Sequence, residues 1–175
     1  MHELYLASVV RQLEAYKQTA EKAIAQVSDE QLFWQYNAES NSIATIIKHL
    51  WGNMCSRWTD FLTTDGEKPW RERDAEFENE VLSREALLQK WEEGWQVCFK
   101  ALRALQAGDL EKTIHIRNQP QSALDAINRQ LAHYPYHIGQ IVFIAKLCAT
   151  QWTSLSIPRG GSDQFNAEKF GGGKP

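Results

Sequence analysis

The sequence predicts an all-α protein whose four long helices form a four-helix bundle. Four stretches carry apolar residues at spacings of three and four, the period that places them on one face of a helix. Capping residues precede the helical stretches, and an Asp-Gly pair or a single glycine follows two of them. Helices of about 25 residues are about 37 Å long, and the segments between them are long enough to cross over within a bundle.

Each long helix is bounded by these end signals and by the extent of its apolar stripe. In chain order the four predicted helices run from about Glu3 to Val27, from after Asn41 or Ser42 to about Thr64, from about 84 to 107, and from Ser122 to about Thr150. A chain of 175 residues is long enough to bury one core without a stapling metal or disulfide. We therefore expect a single domain over residues 1–175.

Short-range signals justify the elements between the first and third helices. Ser28 and Gln31 have the spacing of a capping box, which predicts a short helical turn through Trp34. Residues 65–82 contain a glycine, a proline and seven acidic residues, so this segment is predicted to be a polar connection. It is long for a loop in a bundle, and ordered loops of such length are often functional.

The second half of the chain is punctuated in the same way. Ser83 caps the predicted third helix and Gly108 closes it. Residues 113–117 alternate polar and apolar, which predicts a short extended piece or a hairpin before the fourth helix opens at Ser122. The tail from Ser154 onward has no periodicity and several glycines, so we expect a loop, either packed across the bundle or partly disordered.

Charge and composition exclude several classes of function. The 19 Lys+Arg and 22 Asp+Glu residues give a net charge of −3, and no dense basic run is present, so no nucleic-acid partner is expected. No window approaches the roughly 18 apolar residues of a membrane span, and the first residues do not form a secretory signal, which favours a cytoplasmic protein without a membrane partner. The absence of a glycine-rich phosphate loop or nucleotide fingerprint predicts no organic cofactor.

The three cysteines are widely spaced, and each lies in a helical apolar pattern. An odd number of cysteines without a Cys-x-x-Cys pair argues against a disulfide framework and against a thiolate zinc site. We expect Cys55, Cys98 and Cys148 to be reduced thiols in the core.

Three histidines form the strongest candidate site. His133 and His137 stand four apart on the predicted fourth helix, which places their side chains on one face about 5–6 Å apart. Two imidazoles so placed can converge on one metal ion, and a third ligand must then come from another element. His49 on the second helix is the candidate third ligand.

A projection at 100° per residue places the three histidines on the flanks of their helices, about 110–150° from the centres of the apolar stripes. A site at such a flank is a cleft with a coordination position open to a small-molecule substrate. Asn53 and Gln140 lie on the same flanks and are candidates to orient a ligand or the substrate. The projection fits exposed surface histidines equally well, so both alternatives stay open.

Four segments of the chain carry a resemblance to a known family. They are His49-Leu50-Trp51-Gly52-Asn53, His133-Tyr134-Pro135-Tyr136-His137-Ile138-Gly139-Gln140, the stretch from Arg57 to Asp74, and the stretch from Ser154 to Gly160. The first two resemble the DinB/YfiT-like superfamily of bacterial four-helix proteins, whose metal triad has one histidine from the second helix and a His-x-x-x-His pair from the fourth. The last two resemble a subgroup of it known mainly as proteins of unknown function.

The resemblance implies a down-up-up-down bundle, frequently a homodimer, in which His49, His133 and His137 bind a divalent ion such as zinc or nickel. Characterised relatives include S-transferases that use bacillithiol, mycothiol or glutathione, and a thiol-dependent maleylpyruvate isomerase. In these relatives the metal is thought to hold the thiol as a thiolate, and a cation does lower the pKa of a thiol.

Two functions follow from this comparison. The first is a metal-dependent enzyme that transfers a low-molecular-weight thiol to an electrophile, or a related hydrolase or isomerase. The second is a metal-binding or dimerising bundle without catalysis. Nothing in the sequence separates them, because activity does not transfer with the fold.

Overall fold

The computed structural model describes residues 2–78 and 82–171. This part of the chain is mostly helical. Its elements are α1 His2–Ile24, α2 Asp29–Leu32, α3 Ile43–Trp58, α4 Arg84–Ala104, β1 Thr113–Ile116, β2 Gln119–Ser122, α5 Ala123–Cys148 and α6 Ser162–Lys169, with 3-10 turns at Asp74–Phe77 and Ala107–Glu111. None of these helices is long and apolar enough to span a membrane.

The long helices pack on one another around α3. Helix α3 contacts both α4 and α5, and α1 contacts the same two helices from the other side of the core. Among the largest side chains that are fully buried, the contribution of α3 exceeds that of any other helix: Ile43, Ile46, Ile47, Leu50 and Met54. Trp95 and Tyr134 bring α4 and α5 to the same core, with their ring centroids 5.7 Å apart.

The predicted starts of the helices are confirmed. The side chains of Ser28, Ser42, Ser83 and Ser122 each accept a hydrogen bond from a main-chain N–H three residues further on. Ser28 and Gln31 complete the predicted capping box in both directions. Each serine thereby satisfies one N–H of the first turn that has no partner within its helix.

The predicted ends of the helices are wrong by two to six residues. The helices end at Ile24, Trp58, Ala104 and Cys148. Val27, Phe61 and Leu105 follow three of these ends and are still buried, although their backbone has left the helix. An apolar spacing therefore continues beyond the helix itself, and a stripe alone overestimates helix length. At α3 the chain turns at Asp60, whose φ of 50° is incompatible with a right-handed helix.

The expectation of an irregular tail from Ser154 is also corrected. Residues Ser162–Lys169 form the short helix α6, although none of its residues is buried. It begins directly after Gly160, at a φ of 80°, and Gly161. Helix α6 packs no face against a core, and its sequence has no apolar stripe. The apolar periodicity that predicted the other helices is therefore missing here.

The alternation at residues 113–117 is confirmed as half of a hairpin. Strand β1 pairs antiparallel with β2, and Ile114 and Ile116 point into the core. The two residues at the tip, Arg117 and Asn118, both have positive φ, as a two-residue hairpin turn requires. The Asp65 carboxylate accepts hydrogen bonds of 2.8 Å from the main-chain N–H groups of both, which attaches the hairpin to the segment after α3.

We expect Asp65→Asn to lower the free energy of unfolding by about 1–2 kcal/mol at pH 7, because an amide nitrogen replaces one oxygen that accepts from a main-chain N–H. Burial raises the pKa of Asp65, but hydrogen bonds from the N–H groups of Asn118, Glu67 and Arg117 lower it by a larger amount. The net pKa therefore lies below its ordinary value of 3.8. The contribution of Asp65 is therefore complete above pH 3.8 and is lost as the pH falls through the lower, folded-state pKa.

Urea denaturation of wild type and Asp65→Asn between pH 7 and pH 3 measures this effect. The stability difference should narrow as the pH approaches the folded-state pKa. Asp74→Asn is the control, because the Asp74 side chain is fully exposed and carries no main-chain hydrogen bond of this kind. A difference between wild type and Asp65→Asn that stays constant over the whole range contradicts the assigned role of the carboxylate.

Candidate metal centre

Helix α3 is buried on nearly all sides. Of its residues Ile43–Trp58, Trp51 is the one that is not buried. Helices α4 and α5 cover two sides, and the 3-10 turn Asp74–Phe77 packs on another. The flank of α3 that the helical projection left open is therefore covered by the long connection. His49 is buried for this reason, and His137 is buried with it, whereas His133 is half-buried.

The structure brings the three histidines together. The Nε2 atom of His133 lies 3.4 Å from Nε2 of His49 and 3.1 Å from Nε2 of His137. One ligand atom from each of the three rings lies within 4.8 Å of the other two. The spacing of four residues on α5 thus places two rings on one face, and α3 delivers the third from a distant part of the chain.

Each imidazole is oriented by a hydrogen bond at its other nitrogen. His49 Nδ1 is 2.9 Å from Oε2 of Glu76, His137 Nδ1 is 2.8 Å from Oε1 of Gln140, and His133 Nδ1 is 3.3 Å from Oε1 of Gln130. Carboxylate and carbonyl oxygens accept hydrogen bonds, so each Nδ1 carries the proton and donates. The lone pairs are consequently on the three Nε2 atoms, which face one another.

This donor set fits a divalent cation. Three lone pairs at such short separations repel one another unless a positive charge lies among them, and neutral imidazole nitrogen is a common ligand for divalent transition metals. In a tetrahedral site with metal–nitrogen bonds of 2.0–2.1 Å, the ligand nitrogens are about 3.3–3.4 Å apart. The Nε2 separations of 3.4 Å and 3.1 Å lie near this value. Acceptors on the non-ligating nitrogens are also characteristic of histidines that bind metals.

The histidines on α5 are held in their neutral form. Burial and then the neighbouring His137 and His49 lower the pKa of His133 from 6.5 to about 3. Burial likewise lowers the pKa of His137, against the opposing effect of the hydrogen bond with Gln140. Both imidazoles are therefore neutral near pH 7, which keeps their Nε2 lone pairs available to a cation.

Glu76, like Gln130, contacts the triad but was not singled out from the sequence. Its carboxylate accepts two hydrogen bonds from Arg71, from Nε at 2.7 Å and from a terminal nitrogen at 3.0 Å, in addition to its contact with His49. Burial raises the pKa of Glu76, but the hydrogen bonds from His49 and Arg71 outweigh it, so the pKa lies below its ordinary value. A charged carboxylate is therefore fixed behind His49.

Gly52 makes room for this carboxylate. A Cβ at position 52 would lie 2.8 Å from Cδ of Glu76 and closer still to Oε1. Glycine one turn after His49 thus allows the connection to approach α3 closely enough for Glu76 to reach the imidazole. The sequence contained this signal, but seven acidic residues in 65–82 gave no means of choosing among them.

The structure distinguishes the two residues proposed to orient ligands. Gln140 contacts His137 directly, as described above. Asn53 is buried and accepts a hydrogen bond of 3.1 Å from the hydroxyl of Tyr134. That hydroxyl in turn accepts a hydrogen bond of 2.8 Å from Nε1 of Trp58. Asn53 therefore helps to join α3 to α5 beside His133. Among the described residues, its side chain makes no hydrogen bond to a histidine of the triad.

Residues outside the triad have other surroundings. His115 is exposed on β1. The three cysteines are free thiols, as predicted. Cys55 and Cys98 are buried, whereas Cys148, which was also expected in the core, is half-buried. Burial raises the pKa of Cys55 to about 11, so this thiol is protonated near neutral pH and is a poor nucleophile. Trp91 and Trp95 are in the core.

Comparison with known proteins connects the chain to one family. A family model described as protein of unknown function (DUF1572) matches residues 1–161, which include all three histidines together with Glu76, Gln130 and Gln140. No curated protein and no solved structure gives a significant match.

We expect Gly52→Ala to weaken the binding of a divalent ion by about 10–100-fold, because the added methyl displaces the Glu76 carboxylate from His49 Nδ1. Competition between the protein and a chromophoric chelator for Zn²⁺ measures the dissociation constant. Gly108→Ala is the matched control, since a Cβ there meets no atom within 4 Å. An unchanged dissociation constant in Gly52→Ala would show that ion binding does not depend on the position of Glu76.

Proposed function

Since the chain belongs to DUF1572, a family described as being of unknown function, we propose from the geometry of its histidines that it is a metal-dependent enzyme. In this proposal His49, His133 and His137 bind one divalent ion, zinc or nickel, and the enzyme transfers a low-molecular-weight thiol to an electrophile. We further propose that the long helices form a four-helix bundle of the DinB/YfiT type. The observation that carries the function is the convergence of three Nε2 atoms whose rings are each held at Nδ1.

Three protein ligands favour catalysis over a purely structural site. Structural zinc sites usually have four protein ligands, whereas catalytic sites have three and keep a further position for water or substrate. Within the described residues, the group with metal-binding spacing consists of the three histidines. It includes no fourth histidine, cysteine or carboxylate. The half-exposed His133 leaves one side of the group accessible from solvent.

The surroundings of the triad favour a thiol as the group that is activated. Glu76 is the described carboxylate that contacts the triad, and it is already engaged by Arg71 and His49 with a lowered pKa, so it is a poor acceptor for a substrate proton. A bound divalent cation would supply Lewis acidity that lowers the pKa of a thiol. A free thiol has a pKa of about 8.5, far closer to neutrality than that of water, and therefore needs less assistance from a base.

The protein's own residues have defined tasks in this proposal. Glu76, Gln130 and Gln140 hold the imidazoles in the tautomer that presents Nε2. Arg71 keeps Glu76 ionised and in place. The cysteines of the chain are not placed to serve as the thiol. Cys98 is fully buried, burial raises the pKa of Cys55 to about 11, and Cys148 ends α5 about three helical turns after His137. The thiol is accordingly a separate small molecule.

Metal analysis of protein purified without an affinity tag tests the site. Wild type is expected to contain about one ion per chain after purification with metal supplied, and His137→Ala about a tenth of that or less, because ligands from α3 and α5 act together. His115→Ala is the matched control, since it removes an exposed histidine on β1 and should leave the ion content unchanged. A mutant His137→Ala that retains the ion contradicts the proposed ligand set.

The consumption of a thiol tests catalysis. Metal-loaded wild type is incubated with glutathione, cysteine or another small thiol and a panel of electrophiles, and the remaining thiol is measured colorimetrically. We expect at least one pair to react about 100-fold faster with loaded than with stripped protein. Equal rates for both forms across the panel would leave the non-catalytic metal-binding bundle as the function.

A further inference from the structure

We propose that the apolar groove next to Gln140 binds the electrophile through an uncharged, apolar part of about the size of an aromatic ring system. The groove is formed by the segment after α2, the first turn of α3 and the last turns of α5, and its volume is about 600 Å³. This volume lies in the usual range of small-molecule sites. The assignment rests on the proposed function and adds the class of molecule on which it acts.

Large apolar side chains line the groove, and several of them are exposed. Its six large apolar residues are Trp34, Tyr36, Ile46, Phe143, Ile144 and Leu147. Phe143 and Leu147 are 64% and 55% exposed although they lie within α5, and Tyr36 is 76% exposed. The rings of Trp34 and Tyr36 meet edge to face with centroids 6.4 Å apart. A cluster of this kind on the surface of a soluble domain usually marks a binding site.

The groove begins one helical turn from the triad on two different helices. On α3, Ile46 lines the groove and His49 follows three residues later. On α5, His137 precedes Gln140 by three residues, and Gln140 lines the groove. Three residues of helix advance about 4.5 Å. A molecule lying in the groove can therefore place one end beside the histidines.

Gln140 contacts both the histidine triad and the groove. Its Oε1 accepts the hydrogen bond from His137 Nδ1 at 2.8 Å, and its side chain forms part of the groove wall. No other hydrogen bond is described for this side chain among residues 2–78 and 82–171, so its amide N–H groups can donate to an acceptor on a bound molecule. The electrophile is thus expected to carry a carbonyl or a similar acceptor at the end near the triad.

The charges of the residues that line the groove indicate whether the bound part of the ligand is charged. Glu39 is the one charged residue among those that line the groove. No lysine or arginine is there to neutralise a carboxylate, sulfonate or phosphate, and the carboxylate of Glu39 opposes such groups. An anionic thiol is therefore a poor occupant, and an uncharged apolar molecule is a good one.

Two fluorescent probes with the same aromatic frame test the groove without any metal. N-phenyl-1-naphthylamine is uncharged, and 8-anilino-1-naphthalenesulfonate adds one negative charge. We expect the uncharged probe to bind metal-stripped protein with one probe per chain and at least about 10-fold more tightly than the anionic probe. Phe143→Ser should weaken it at least about 10-fold, and because Phe143 is exposed the variant should fold normally. Phe165→Ser on α6 is the matched control and should bind as wild type does.

Three results would overturn the proposal: no saturable binding of the uncharged probe, equal binding by wild type and Phe143→Ser, or equal affinity for both probes. Sedimentation velocity adds a fourth. A wild-type dimer that Phe143→Ser converts to a monomer would show that a second copy of the chain covers the groove. Because the probe experiment uses stripped protein, its failure is separate from failure of the metal analysis, which concerns the histidines alone.

Discussion

The structure depends on the burial of α3, a helix that carries polar side chains into the core. Their partners are contributed by other elements, because a buried polar group without a partner is costly. From Lys48 onward, the buried polar side chains of the helix are Lys48, His49, Asn53, Ser56 and Arg57. Three of their partners lie in the connection after α3: the carbonyl of Glu78 for Lys48, the carboxylate of Glu76 for His49, and the carbonyl of Gly66, which accepts from both Ser56 and Arg57. The course of that connection is thus largely determined by what α3 needs, and the triad is one part of the same pattern.

The electrostatics behind His49 follow from this arrangement. Arg71, Glu76 and the imidazole form a chain in which a buried carboxylate receives hydrogen bonds from both sides. Removing one member of a buried pair leaves an uncompensated charge, so the loss of any one of these three groups is expected to destabilise the fold. Another carboxylate of the connection, that of Glu67, accepts hydrogen bonds from Arg57 and Arg117. It thereby attaches the same segment to the hairpin. On the side of α3 the site is therefore held by charged groups, whereas on the side of α5 it is held by neutral glutamine amides.

Local signals in the sequence were sufficient for the starts of the helices, for the hairpin and for the pair His133 and His137, because capping, alternation and the spacing of four residues act within a few positions. His49 lies far away in the sequence, so its helical flank made it only a candidate, and its place in the set came from the family resemblance. Properties that arise from packing were not accessible. The burial of His49 requires knowing that the segment 65–78 covers the flank of α3, and the choice of Glu76 requires its three-dimensional distance to His49. The ends of the helices were overestimated because residues such as Phe61 stay buried after the helix has ended. Helix α6 escaped detection because it has no buried face.

The separation of the histidines along the chain has a consequence for the folding process. His133 and His137 are neighbours on one helical turn, so they come together whenever that turn forms. His49 is 84 residues away from His133 and joins them only when α3 and α5 dock. An ion held by all three would therefore bind the folded chain and not the unfolded one, and it would stabilise the fold by mass action, more strongly as the concentration of free metal rises. Occupancy of the site would then report on completion of the tertiary structure, and the supply of metal would add to the stability of a fold whose core does not require it.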